Sequence, residues 1–576
     1  MRVKSISFVS LVVIVASLAW VAGTALMGEI GRTAMWRPDL SPRLDTFEKQ
    51  VKERPRDAKA WFALAVATSA KLAQDEANEG DEAAGKAEQA ALTQPPPQAG
   101  ELRMRTAFQR AIELKPDWAA PYLVFGALLV ARVPSTRQDT YVAIFGERSS
   151  LKATTLSASH RADIRVARQA LEKARSLQPA NAAPDYLLAY LAFAERRDED
   201  ALALLRGALR RNRWDVGQRD AGIALYEAYA PAMPPFGAGV VAFANLFAPR
   251  SVHAPLRELA RIITGMAVTA QQRGDDERAI FLRESGIHLG RVMAAQGYTI
   301  IDVLTGRAVW VIATTERLSP VEAAAATKGV RKPRPDEPSG NESPWGRALR
   351  TAKLQKLEGY LRAHGRGDLA GSIASFETQY TEWSPQVHKA MAAFTRRLAM
   401  SLLGPVTFLA VFIGGLVGVM VLLLCFVTHQ VLERLGRRPA PITWARWKWA
   451  LLVLGGAGLS VIMAVTGAPK EPPIPWTAIL AMVFPAVTIP GVIVAVVAVT
   501  LLVRRGVDAS QRSGFGRQYV GTLTAVMLPV TALLLVTAVA LLADAGRGMN
   551  RFVEHQKIVI YQGELAYHGL KPPVGP

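Results

Sequence analysis

Cysteine is almost missing from this chain: its 576 residues contain one, Cys425, inside an apolar run. A single thiol excludes an internal disulfide framework, a Cys-ligated zinc site, Cys-linked haem and a lipid-anchored N-terminal cysteine. Histidine is scarce too, with eight scattered copies. None forms a His-Glu-x-x-His motif or a pair at four-residue spacing, so no metal ligand set is expected. Neither a phosphate-cradling Gly-x-x-x-x-Gly-Lys loop nor a Gly-x-Ser-x-Gly elbow occurs. Gly237-Ala-Gly239-Val-Val-Ala242 imitates a dinucleotide fingerprint, but no strand precedes it and no βαβ context surrounds it. No catalytic, metal or cofactor residues are assigned. Alternating, strand-like patterning is nearly absent as well, which leaves an all-α chain as the expectation.

Charge is missing where it matters most. Five runs, at 6–27, 401–428, 449–467, 476–503 and 519–543, contain no Asp, Glu, Lys or Arg. Each approaches the roughly 20 apolar residues a bilayer-spanning helix needs. The expected layout is an N-terminal anchor in residues 1–30, a large water-soluble block, a four-span domain at 401–543 and a tail at 544–576. A cleaved signal peptide is the alternative for the first run. Uncharged spans also weigh against an ion or proton pathway, which needs ionisable groups inside the hydrocarbon.

Arginine sets the orientation. Arg2 and Lys4, the loop with Arg434, Arg437, Arg438, Arg446 and Lys448, and the loop with Arg504, Arg505, Arg512 and Arg517 all fall on one side of a five-span protein. By the positive-inside rule that side is the cytoplasm, which places the soluble block and the tail outside it. Trp444, Trp447, Trp449 and Trp476 mark the two interfaces. The net charge of +20 then reflects inner-loop arginines and an Arg-rich composition. Nucleic acid is not an expected partner, because it lies across the membrane from the soluble block. Gly414-x-x-x-Gly418 and Gly455-Gly-Ala-Gly458 favour close helix contact, within the bundle or with another membrane protein or a second copy.

What the soluble block does contain is alanine, leucine and arginine at helical spacing. A turn at Pro55-Arg-Asp57, at Pro116-Asp117 and at Pro179-Ala-Asn181 introduces three similar segments. They are Ala58-Lys-Ala-Trp61-Phe-Ala-Leu64-Ala65, Ala119-Ala-Pro-Tyr122-Leu-Val-Phe125-Gly126 and Ala182-Ala-Pro-Asp185-Tyr-Leu-Leu188-Ala189. Second helices follow the same grammar at Phe108–Pro116, Ala167–Pro179 and Ala201–Ala208. This pattern resembles tetratricopeptide (TPR) repeats over 58–213, fading through 254–294, where Gly274-Asp-Asp-Glu-Arg-Ala279 looks like a degenerate turn. The turns recur at 61 and 63 residues, against the family's repeat of about 34. Insertions at 72–101 and 133–161 account for the excess, the first of them reading as an exposed loop.

The resemblance implies a degenerate helical-hairpin solenoid over 44–318 whose first helices line a concave, peptide-binding face. Phe62, Leu123, Tyr186, Tyr190 and Phe193 are the candidate groove residues; packing against the neighbouring hairpin is the alternative for the same stripe. Ser319-Pro-Val-Glu322 reads as a capping box opening a short helix. A linker covers 319–345, and juxtamembrane helices cover 346–400, with Ser384-Pro385 opening the last of them. The function implied is a scaffold in a bacterial inner membrane that recruits or assembles other envelope or membrane proteins. A transporter component with an external capture domain, or an envelope enzyme with dispersed acids, is the alternative.

Overall fold

A computed structural model describes residues 44–83, 99–140, 155–230, 252–331, 343–435, single positions between 520 and 551, and 553–573. Three of the expected spans, 6–27, 449–467 and 476–503, lie outside the described residues, as do most of 519–543 and the Gly237–Ala242 motif. Every described element is helical, and the one bridge among the described residues pairs Asn181 with Arg213. The chain divides into two compact units: residues 37–391 with 555–576, and residues 1–36 with 392–554. Residues 555–576 of the tail set apart in the sequence thus belong to the helical unit.

The helical unit opens with α1 (Leu44–Glu53) and α2 (Ala58–Ala83), then α3 (Ala99–Leu114), α4 (Ala119–Ala131), α5 (Ala158–Leu177), α6 (Ala183–Ala194), α7 (Asp198–Ala208) and α8 (Gln218–Tyr229). The three repeated turns stand immediately before α2, α4 and α6. Each of these first helices packs on the second helix that follows it, α3, α5 and α7. Asn181 fastens the third turn: its side chain accepts from the amides of Ala183 and Asp215 and donates to the Asp215 carbonyl. The Asp75–Glu82 stretch is not the loop its charge suggested. It continues α2 to Ala83, because alanine, glutamate and glutamine are good helix formers even when a segment has little to bury. Within the second insertion a 3-10 turn at Gln138–Thr140 leads towards α5, which already starts at Ala158.

Beyond the hairpins lie α9 (His253–Gln272), α10 (Asp276–Gln296), α11 (Ile300–Ala313), α12 (Pro320–Ala326), α13 (Pro344–Ala363) and α14 (Gly367–Arg434). The Gly274 turn falls where the pattern placed it, with Asp275 capping α10 by accepting from the Arg278 amide. Ser319 and Glu322 form the reciprocal box at the start of α12. Pro385 is a correction: it opens no helix but lies within α14, which is continuous from Gly367. Helices α10 and α11 touch almost backbone to backbone. A Cβ at Gly306 would sit 2.6 Å from the Ala294 nitrogen and 2.8 Å from the Gly290 carbonyl oxygen.

Two buried clusters result. One joins α1 to α9 and takes Leu282, Leu289, Val292, Met293 and Val309 from α10 and α11. The other joins α10, α11, α13 and the start of α14 around Trp310, Leu357, Phe376 and Trp383. Helices α10 and α11 are therefore a wall with a core on either side.

In the second unit, α14 carries the backbone of the 401–428 run; side chains are described at 415 and from 418 onward. Among the described residues no helix is long and apolar enough to cross a membrane. Gly418 lies so close to Thr531 that no Cβ fits between them, and Cys425 is buried beside Thr524. As one number rises the other falls, so these two segments run antiparallel. Met420, Leu423, Leu424, Val427 and Val431 recur at helical spacing and are exposed within this unit.

Candidate functional site

The five residues proposed to line a groove are all buried. Phe62, Leu123, Tyr186 and Phe193 have no accessible surface and Tyr190 keeps 3%. Helices α8 and α9 explain this: α8 covers α2 and α4, and α9 covers α6 and α4, so the chain's own helices fill the face that a repeat would otherwise offer. Phe62 packs edge-on against Trp118, with ring centres 4.9 Å apart, and Phe108 stacks on Phe125. Tyr190 donates its hydroxyl to the Val133 carbonyl, 2.8 Å away, and burial pushes that hydroxyl well above its usual range. The burial fits the packing alternative for the stripe. A heavy aromatic at helical spacing carries the same signal for a groove as for a core, and only the partner helix decides.

The most elaborate polar arrangement lies where α6 meets α10. The Tyr186 hydroxyl stands 2.8 Å from Nδ1 of His288 and 3.1 Å from the Ser285 carbonyl. A backbone hydrogen bond to Arg211 engages the imidazole too. With Nδ1 facing the tyrosine, Nε2 is the nitrogen left for that carbonyl, and the ring is neutral. Burial, then the nearby Arg291 charge, lower the His288 pKa to about 4. Next to it, Asp185 is almost wholly buried, with Arg211 Nε at 2.8 Å and Arg175 Nη1 at 3.4 Å. Burial raises the Asp185 pKa, and the two arginines oppose that rise. Chemically this is a knot that ties α6, the segment just after α7, and α10 together, with Asp185 and Tyr186 buried and Arg175 reaching the surface.

A second polar cluster surrounds the start of α11. Asp302 accepts from the Thr299 amide and hydroxyl through one oxygen and lies 2.8 Å from Nε2 of His253 through the other. The tail joins here. Tyr298 directs its hydroxyl at the carbonyls of Val559 and Ile560, at 2.8 Å for Val559. The Glu564 amide donates to the Tyr298 carbonyl at 3.0 Å, and its carboxylate accepts from the Ile300 amide at 2.8 Å. His253 and His288 are both drawn into the interior. No local motif marks them, because their partners lie 49 and 102 residues away.

The far side of the wall is held by arginine. Arg283, fully buried, donates to the carbonyls of Ala313 and Thr315, each at 2.8 Å, and to Glu316 at 2.6 Å. Arg307 is stacked over Trp310, at 4.4 Å from the ring centre, and Tyr380, at 4.6 Å. It shares the Glu377 carboxylate with Arg350. These ties fasten α11, α13 and α14 to one another. Among the described residues no group of three or more His, Cys, Asp or Glu is placed to hold a metal ion. No protein-family model, curated protein or solved structure matches the chain.

Proposed function

We propose that this chain is a membrane-anchored scaffold that presents a TPR-like helical domain on the outer side of a bacterial inner membrane, where it assembles other envelope proteins. The observation that carries the reading is the tail. Residues 37–391 and 555–576 form one unit, so the intervening 392–554 leaves that unit and returns to it. If this stretch crosses a bilayer, it does so an even number of times, as four spans do. The antiparallel pairing of Gly418 with Thr531 and of Cys425 with Thr524 independently has the parity of a first and a fourth crossing. The exposed stripe from Met420 to Val431 is the kind of apolar helix face that lipid or a neighbouring helix covers.

The scaffold part of the reading rests on the hairpin grammar and on polar knots that hold helices together. Because α8 and α9 cover the first helices, recognition falls to the outward faces of α3, α5 and α7. These carry exposed residues such as Arg103, Arg161, Arg165, Lys173 and Arg206, which suit acidic or polar protein surfaces. Reporter fusions test the anchoring. A reporter active only outside the cytoplasm, placed after Pro576, should work, and the same reporter after Arg438 should fail. Activity at Arg438 and silence at Pro576 would reverse the orientation; activity at both would remove the membrane crossing between them.

A further inference from the structure

The tail does more than return. Its helical stretch 555–562 buries Ile560 in the first core and sets Tyr561 against it. After the break at Gly563, α15 (Glu564–His568) buries Leu565 in the second core, with Leu570 against it. A short stretch of chain therefore touches both cores, and it does so over the turn that joins α10 to α11, the two helices that separate them. The polar contacts fall on that turn as well. Tyr298 meets the Val559 and Ile560 carbonyls, and the Glu564 amide meets the Tyr298 carbonyl. Glu564 also supplies the acceptor for the Ile300 amide, one of the donors a helix start leaves without an intrahelical partner. Farther on, the Trp383 indole donates to the Lys571 carbonyl at 2.9 Å, which ties the tail to the start of α14.

We propose that residues 555–571 are a latch: docked, they clamp the α10–α11 wall between the two cores, and their release loosens the first turn of α11. Residues 544–554 separate the latch from the 519–543 run in the chain. This inference rests on the contacts within the helical unit and holds whether or not the 519–543 run crosses a membrane. The first turn of α11 is the point of transmission because its amide and its capping box, Thr299 with Asp302, stand between the tail and His253 of α9.

Amide hydrogen exchange on the full chain, reconstituted in phosphatidylethanolamine–phosphatidylglycerol nanodiscs, tests the latch. Tyr298→Phe removes the hydroxyl contacts and keeps the ring. Losing a hydrogen bond worth about 1 kcal/mol should speed local opening about fivefold. That acceleration is expected together in peptides covering 300–306 and 556–568, with α7 unchanged. Deleting residues 563–576 should speed 300–306 further. Faster exchange in the tail alone would show that nothing is transmitted, and faster exchange in α7 as well would mean general destabilisation. Unchanged exchange in both target peptides would mean that Tyr298 holds no latch. Each of these three results overturns the proposal.

Discussion

The two cores that flank α10 and α11 are built by different rules. In the hairpin core, from α1 to α9, the two helices of each hairpin pack on one another over a largely apolar interior: Phe62 on Trp118, Phe108 on Phe125, alanines between them, with Asp185 and its two arginines as a charged exception. The core of α10, α11, α13 and α14 relies more on charge, with the buried pair Arg283–Glu316 and the half-buried pair Arg307–Glu377, across separations of 33 and 70 residues. An apolar contact loses strength in proportion to the area removed and tolerates substitution by similar volumes. A buried ion pair is different, because removing one partner strands the other in a medium that cannot solvate it. The hairpin core should therefore degrade gradually, while the second should fail on single changes and recover when both partners are removed.

Matched substitutions sharpen that contrast most. Arg283→Ala should cost about 3–5 kcal/mol in chemical unfolding, the range for breaking a buried pair. The double change Arg283→Met with Glu316→Leu should recover most of it. Phe62→Ala should cost about as much, since large-to-small changes of buried aromatics fall near 3–5 kcal/mol. No second substitution at its polar surroundings should rescue it. If the double change at 283 and 316 is no better than Arg283→Ala, the distinction between the two cores fails.

The junction of the cores gives the next largest effect, through pH. His288 is held neutral in the folded chain, with a pKa of about 4, below the 6.5 of a free imidazole. Between those values the unfolded chain binds the extra proton and the folded one does not, so stability falls as pH drops from about 6.5 towards 4. The full loss is about 3 kcal/mol for a shift of this size. Unfolding midpoints measured across that window should decline in the natural protein and flatten in His288→Asn, which keeps an acceptor for Tyr186. A slope that is the same in both proteins would assign the pH dependence elsewhere.

The wall itself gives the smallest change. Gly306→Ala should cost about 1–3 kcal/mol through overpacking, because the new methyl meets backbone atoms of α10 that cannot swing away. Thermal unfolding would reveal it, and a neutral result would show that α10 and α11 separate cheaply.

How far the sequence could be read follows the same division. The turns before α2, α4 and α6, the Gly274 turn and the Ser319 box were legible because each is a local rule, settled within a few residues. The inward direction of Phe62, Leu123, Tyr186, Tyr190 and Phe193 was not, since it depends on α8 and α9 lying over them. Pro385 misled for a related reason: proline favours a helix start, yet a long helix can absorb one within its length. The knots at His253 and His288 left no trace at all, because hydrogen-bonded partners 49 and 102 residues apart share no periodicity.

The tail also carries a consequence for synthesis. Ile560 and Leu565 are synthesised well after the other walls of the cores they complete. Throughout translation of 401–543 the turn at Tyr298 stands uncovered, its apolar flank open to whatever chaperone attends the nascent chain. Docking of residues 555–571 thus completes the two cores after all their other walls, and a chain that stops before Ile560 lacks that step.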